Sequence, residues 1–156
     1  MEHRMREWTM TQEAVEALLE RACVGRVSTV GEDGYPYTTA IHFLWRNGKL
    51  YFHGLPRGEK IANLLRCPKV CFETDEFQGI LRGEEDPCGA DCAYESVIAR
   101  GEAVLIEDLE ERRGILQALV EKYTPEQAGQ PMEEARVRGT AVVEITPGSL
   151  TGKYHR

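Results

Sequence analysis

Tyr51-Phe52-His53-Gly54-Leu55-Pro56-Arg57-Gly58-Glu59-Lys60-Ile61-Ala62-Asn63-Leu64-Leu65 opens as a short aromatic strand and turns through Gly54, Pro56 and Gly58. It then starts a helical pattern that puts Ile61, Leu64 and Leu65 on one face. Arg57 and Lys60 stand at the strand-to-helix turn. A helix start there offers free backbone N–H groups and the positive end of a dipole, and with two cationic side chains beside it the turn reads as a phosphate cradle. Without a ligand the same residues read as a surface turn with two solvated charges. Cations at a helix N-terminus oppose the dipole, and that opposition makes sense only when an anion is bound as well.

Working outward from this stretch, strands dominate. Toward the N-terminus, Thr9 and Gln12 form a capping-box pattern, and Val15, Leu18, Leu19 and Ala22 recur at helical spacing up to Gly25. Residues 25–30 are strand-like. Glu32-Asp33-Gly34 is a turn signal, and residues 35–45 form one long strand rich in Thr, Ile, Phe and Tyr. Asn47-Gly48 closes a hairpin onto the strand at 49–53. Toward the C-terminus, Cys67-Pro68 stops the helix and residues 69–74 are a fourth strand. Residues 75–91 read as a long polar loop bordering a ligand cleft. The fifth strand runs over 93–106, with Gly101 marking a bulge or bend. Residues 108–123 are a helix ended by Thr124-Pro125, residues 129–138 a polar connection, residues 140–145 a sixth strand, and residues 147–156 a short basic tail. The resulting fold class is mainly β (α+β), a six-stranded antiparallel barrel with flanking helices, as a single domain over residues 1–156.

Composition bounds the function. The 156 residues suit one domain with its own core, and the formal net charge of −7 argues against non-specific nucleic-acid binding. No apolar run is long enough to span a membrane, and residues 1–8 lack the apolar core of a signal peptide, so the expected compartment is cytoplasmic. The five cysteines include two C-x3-C pairs, Cys67/Cys71 and Cys88/Cys92. Zinc binding is disfavoured because Cys71 falls in a strand, where residues four apart span too far to chelate one ion. Free thiols and small buried groups fit better. Metal ligands are therefore not assigned.

Several segments together resemble a known family. They are Gly34-Tyr35-Pro36-Tyr37-Thr38-Thr39, residues 48–54 reading Gly-Lys-Leu-Tyr-Phe-His-Gly, Gly58-Glu59-Lys60, and Pro68-Lys69-Val70-Cys71-Phe72. Tyr94, Ser96-Val97-Ile98, Gly101, Glu107-Asp108 and Thr151-Gly152-Lys153 follow in order. They are similar to the FMN-binding split-barrel proteins related to pyridoxamine 5′-phosphate oxidase, in the subgroup of 5-nitroimidazole-reductase-like proteins. The resemblance implies a six-stranded split barrel, a homodimer, and FMN between the two subunits. It implies a phosphate-binding segment at Gly54, Arg57 and Lys60, where Glu59 replaces a cation common in relatives and Arg57 takes over. Thr38, Thr39 and Ala40 would run alongside the flavin, and His53, the candidate catalytic residue, would lie near it. Ser96 and Arg100 share a strand face and would reach the partner's cofactor.

The implied activity is an FMN-dependent oxidoreductase that passes electrons from a transiently docked NAD(P)H to a nitro compound or another small-molecule acceptor. No Gly-x-Gly-x-x-Gly fingerprint is present to hold the nicotinamide permanently. Two other readings stay open on the same barrel. One is a non-catalytic flavin or haem protein, with His42, His53 and His155 as possible haem ligands. The other is the pyridoxamine 5′-phosphate oxidase reaction itself. Tyr37, Ile41, Phe43 and Trp45 alternate along one strand face and are expected to need a partner to cover them.

Overall fold

The computed structural model of the chain describes residues 8–81 and 89–156. Seven strands form one antiparallel sheet. In chain order the elements are α1 (Gln12–Arg21), β1 (Gly25–Val30), β2 (Pro36–Ile41), β3 (Phe43–Arg46), β4 (Lys49–Gly54) and α2 (Glu59–Arg66). They continue with β5 (Lys69–Leu81), β6 (Asp91–Leu105), α3 (Leu109–Tyr123), α4 (Glu134–Gly139) and β7 (Ala141–His155). The strand order is β2-β1-β5-β6-β7-β4-β3. The fold is thus α+β, and the sheet curls without closing, as a split barrel.

The expected long strand at 35–45 is two strands. The chain breaks at His42, so β2 pairs with β1 at one edge of the sheet while β3 pairs with β4 at the other. One residue therefore joins the two edges of the sheet. Tyr123 holds the break: its hydroxyl accepts from the Phe43 N–H at 2.9 Å, and the carbonyls of Phe43 (2.7 Å) and Cys23 (2.9 Å) lie within reach of its single proton. Next to it, Lys122 Nζ donates to the Ala22 carbonyl at 2.8 Å, placing a cation at the C-terminal end of α1, where the dipole favours one.

The core fills the barrel. Val27, Phe43, Phe52, Phe72, Val97 and Ile145 are fully or almost fully buried, with the rings of Phe43 and Phe72 edge-to-face at 4.8 Å. A second cluster, Tyr51, Ile106, Ile115, Leu119 and Val142, seats α3 on β4 and β7. Ile41 and Phe43 belong to the chain's own core, and Trp45 packs against it. The expectation that these residues await a partner is corrected: the break at His42 turns them inward.

Other sequence expectations change as well. The helix cap is Thr11, whose hydroxyl accepts from the Ala14 N–H at 3.2 Å; Thr9 instead bridges to Lys153. On α2 the buried residues are Ile61, Asn63 and Leu64, whereas Leu65 is 71% exposed. Asn63 is tolerated inside because its amide donates to Thr29 Oγ1 at 3.1 Å and its oxygen accepts from Arg66 at 3.2 Å. Residues 75–81, expected as loop, extend β5 and pair with β6 from Asp91 onward. Residues 82–88 of that expected loop, Cys88 among them, lie outside the described residues. The segment 147–156 is no tail, since β7 runs to His155 against β6 along its whole length. Pro147 fits in mid-strand because the register shifts at Arg100/Gly101, and a bulge needs no N–H from it. The Asn47-Gly48 hairpin and the irregularity at Gly101 are as expected, Asn47 and Gly48 having φ of 52° and 75°.

Candidate functional site

The strand-to-helix turn builds the first half of the site. β4 ends at Gly54, residues 55–58 bend, and Gly58 caps α2 with φ 124°, a conformation that a side chain would strain. No side chain caps this helix, so its first N–H groups remain available. Lys60 follows in the first turn. Its ammonium lies 4.9 Å from the Phe52 ring centre, and partial burial pushes its pKa below the ordinary lysine value. Among the described residues no carboxylate pairs with it. Arg57 is exposed in the bend. A half-buried ammonium without a counter-ion, beside uncapped N–H groups, is a site short of an anion.

His53 stands on β4 opposite Val142 of β7. It keeps solvent access, yet desolvation lowers its pKa, with His42 and Lys60 adding repulsion. The imidazole is therefore held neutral at physiological pH, able to accept or relay a proton. His42 Nδ1 lies 3.2 Å from the Cys23 carbonyl, which can only accept, so Nδ1 is the donor in that contact. Its ring stacks edge-on against Tyr123 at 4.7 Å. Both histidines line a cavity of about 860 Å³ walled by α3, residues 124–133 and α4. Nothing in the sequence reading pointed to this wall: residues 129–138 looked like a polar connection, and α4 is six residues long with a single buried side chain, Val137.

The second half lies on the open face of the sheet. The register sets Thr38, Ser28, Cys71, Arg100 and Ser149 in one row across β2, β1, β5, β6 and β7. The next row is Ala40, Arg26, Glu73, Ile98 and Thr151. Thr38 Oγ1 and Ser28 Oγ are 2.8 Å apart, and Arg26 pairs with Glu73 at 2.9 Å and Asp75 at 2.6 Å. Arg100 has no ion-pair partner among the described residues and lies between cavities of about 600 and 420 Å³, the smaller of which Ser96 and Lys153 also line. Thr39 faces the other way, and its Oγ1 is a buried polar atom without a hydrogen-bond partner.

The predicted site residues thus fall into two groups. His53, Gly54, Arg57 and Lys60 share the turn, with His42 beside them. Thr38, Ala40, Ser96 and Arg100 share the open sheet face. Arg100 and His53 line different cavities of one chain.

An open antiparallel sheet of this strand order, flanked by helices, is a split barrel. The chain belongs to the pyridoxamine 5′-phosphate oxidase family, whose sequence profile matches residues 11–154. No curated protein matches it. Among solved structures, a candidate 5-nitroimidazole antibiotic resistance protein from Bacteroides thetaiotaomicron is 27% identical, over 93% of this chain and 85% of that one, with a TM-score of 0.80. The flavocytochrome Anf3 from Azotobacter vinelandii is 21% identical over 98% and 72%, with a TM-score of 0.87. A FAD- and haem-binding protein from Mycobacterium smegmatis is 19% identical over 94% and 72%, with a TM-score of 0.85. The last two speak to the fold.

Proposed function

We propose that the protein is an FMN-binding oxidoreductase that acts as a homodimer and reduces a small acceptor, such as a nitro compound, with electrons from a reduced nicotinamide. The observation that carries this reading is Lys60, a desolvated ammonium at an uncapped helix start with no counter-ion among the described residues. A flavin phosphate supplies the missing anion. FMN, when bound, supplies the two-electron relay between nicotinamide and acceptor.

The protein's own residues have separable tasks in this reading. Lys60 and the N–H groups after Gly58 hold the phosphate, and Arg57 closes over it from the bend. His53, kept neutral by its surroundings, is the proton-handling group beside the acceptor. Ser96 and Arg100 act across a two-fold interface made by the open sheet face, and among the described residues Arg100 has no ion-pair partner of its own chain to compete with that role. The purified protein is expected to be yellow and to take up about one FMN per chain on titration. A colourless protein that takes up no added FMN contradicts the reading.

A second reading is haem binding in the cavity shared by His42 and His53. The observation that favours it is the His42 hydrogen bond, because an imidazole whose Nδ1–H is tied to a carbonyl offers Nε2 as a ligand. The structural relatives named for haem give it a precedent. Titration with haemin decides it: a sharp Soret band that His42→Ala and His53→Ala each weaken supports this reading, and free-haemin absorption contradicts it.

A further inference from the structure

The segment between α3 and β7 is anchored in a way that singles out one side chain. α3 and α4 together carry Arg112, Arg113, Arg136 and Arg138. Arg112 donates to the carbonyls of Ile106 at 2.8 Å and Arg138 at 3.3 Å. Arg113 donates to the Met132 carbonyl at 3.0 Å and lies 3.5 Å from Glu110. Arg138 pairs with Glu134 at 2.6 Å. The Arg112 and Arg113 side chains fasten α4 and residues 129–133 onto α3, and so build the outer wall of the 860 Å³ cavity, whereas the Arg138–Glu134 pair stays within α4. Arg136 lines that cavity and has no side-chain partner among the described residues.

The rest of the lining fits a small organic molecule. Leu116, Leu119, Val120 and Val137 give an apolar wall, and the amides of Gln127 and Gln130 stand at its polar edge. Glu133 is the one carboxylate among the lining residues, and no ion pair joins it to Arg136. His53 also lines the cavity, and the Lys60 charge is close enough to act on its imidazole. A ligand with an apolar body and an anionic group near Arg136 satisfies both wall and cation. A neutral one leaves the guanidinium with water alone.

We propose that this cavity is the acceptor pocket, and that Arg136 selects planar aromatic acceptors bearing an anionic substituent, such as a carboxylate. The role of acceptor rests on the flavin reading above; the binding preference does not. The probes are 4-nitrobenzoate and its neutral counterpart 4-nitrobenzamide, titrated calorimetrically into the protein with and without FMN. The parent is expected to bind the benzoate at least tenfold more tightly than the benzamide. Arg136→Gln should remove that ratio while leaving benzamide affinity and FMN affinity unchanged. Arg138→Gln, which alters a neighbouring arginine off the cavity, should keep the ratio. An unchanged ratio in Arg136→Gln, equal losses in both variants, or no binding of either probe to the parent overturns the proposal. Failure of FMN to bind, with the Arg136-dependent ratio intact, overturns the flavin reading and leaves the anion-selective pocket standing.

Discussion

Lys60 could be singled out from the sequence because a turn rich in glycine and proline, ending in a lysine at a helix start, is a local pattern, whereas His53 stood out only through the family resemblance. What the sequence could not convey is the state of those side chains. Burial in the fold lowers the pKa of each, and for His53 the neighbouring His42 and Lys60 add to it. Glu95 was not singled out at all, because nothing in residues 93–106 marks one strand carboxylate as buried. It lies between Arg21 and Arg156, whose hydrogen bonds hold its pKa below the ordinary 4.5, Arg156 contributing most. A carboxyl with a depressed folded pKa stabilises the protein above its ordinary pKa, and that contribution is lost as pH falls through the folded value. Glu95→Gln should therefore be less stable than the parent at neutral pH, and urea melts of the two should converge as the pH is lowered through the depressed folded value. A difference constant over that range means that the ion pairs contribute nothing. Tyr123 allows a second residue test. Tyr123→Phe leaves the Phe43 N–H without its hydroxyl partner, and a loss of about 1–3 kcal/mol is expected in denaturant unfolding.

Elements were legible where one face is buried and the other is not. β1 and β4 alternate or bury enough to be read, and the Asn47-Gly48 turn between β3 and β4 declares itself. The outer half of the β5–β6 ribbon was missed because it has little buried face. Phe77 and Ile80 are 61% and 57% exposed, so no hydrophobic alternation marks residues 75–81 as strand. The C-terminal half of β7 was missed for a different reason: Pro147 and Gly148 read as a stop, whereas the register shift opposite them absorbs both. That shift depends on Gly101. A Cβ there would sit 2.1 Å from the Thr146 carbonyl oxygen, which is backbone and cannot swing away. Gly101→Ala should destabilise the protein by roughly 2–4 kcal/mol. Hydrogen exchange should show the loss first in the β6–β7 pairing. A variant as stable as the parent would mean that the ribbon shifts register at little cost.

At the scale of the whole molecule, one side of the sheet is covered by helices and the other carries two cross-strand rows of mixed character. Val30 and Ile98 are each 41% exposed on that open side, among Thr38, Arg26 and Arg100. Two copies joined through it would bury these apolar groups. Sedimentation at micromolar concentration should show a dimer, with Ile98→Asp a folded monomer. A monomeric parent contradicts the assembly.

The central claim is that the turn before α2 holds a flavin phosphate, and calorimetric titration of FMN and riboflavin into the parent and Lys60→Ala tests it most directly. The lost charge-assisted contact is worth roughly 1.5–3 kcal/mol, so FMN should bind the variant about ten- to a hundredfold more weakly. Riboflavin, which lacks the phosphate, should bind both proteins alike. Unchanged FMN affinity in Lys60→Ala, or an equal loss for FMN and riboflavin, would contradict a phosphate contact at this turn.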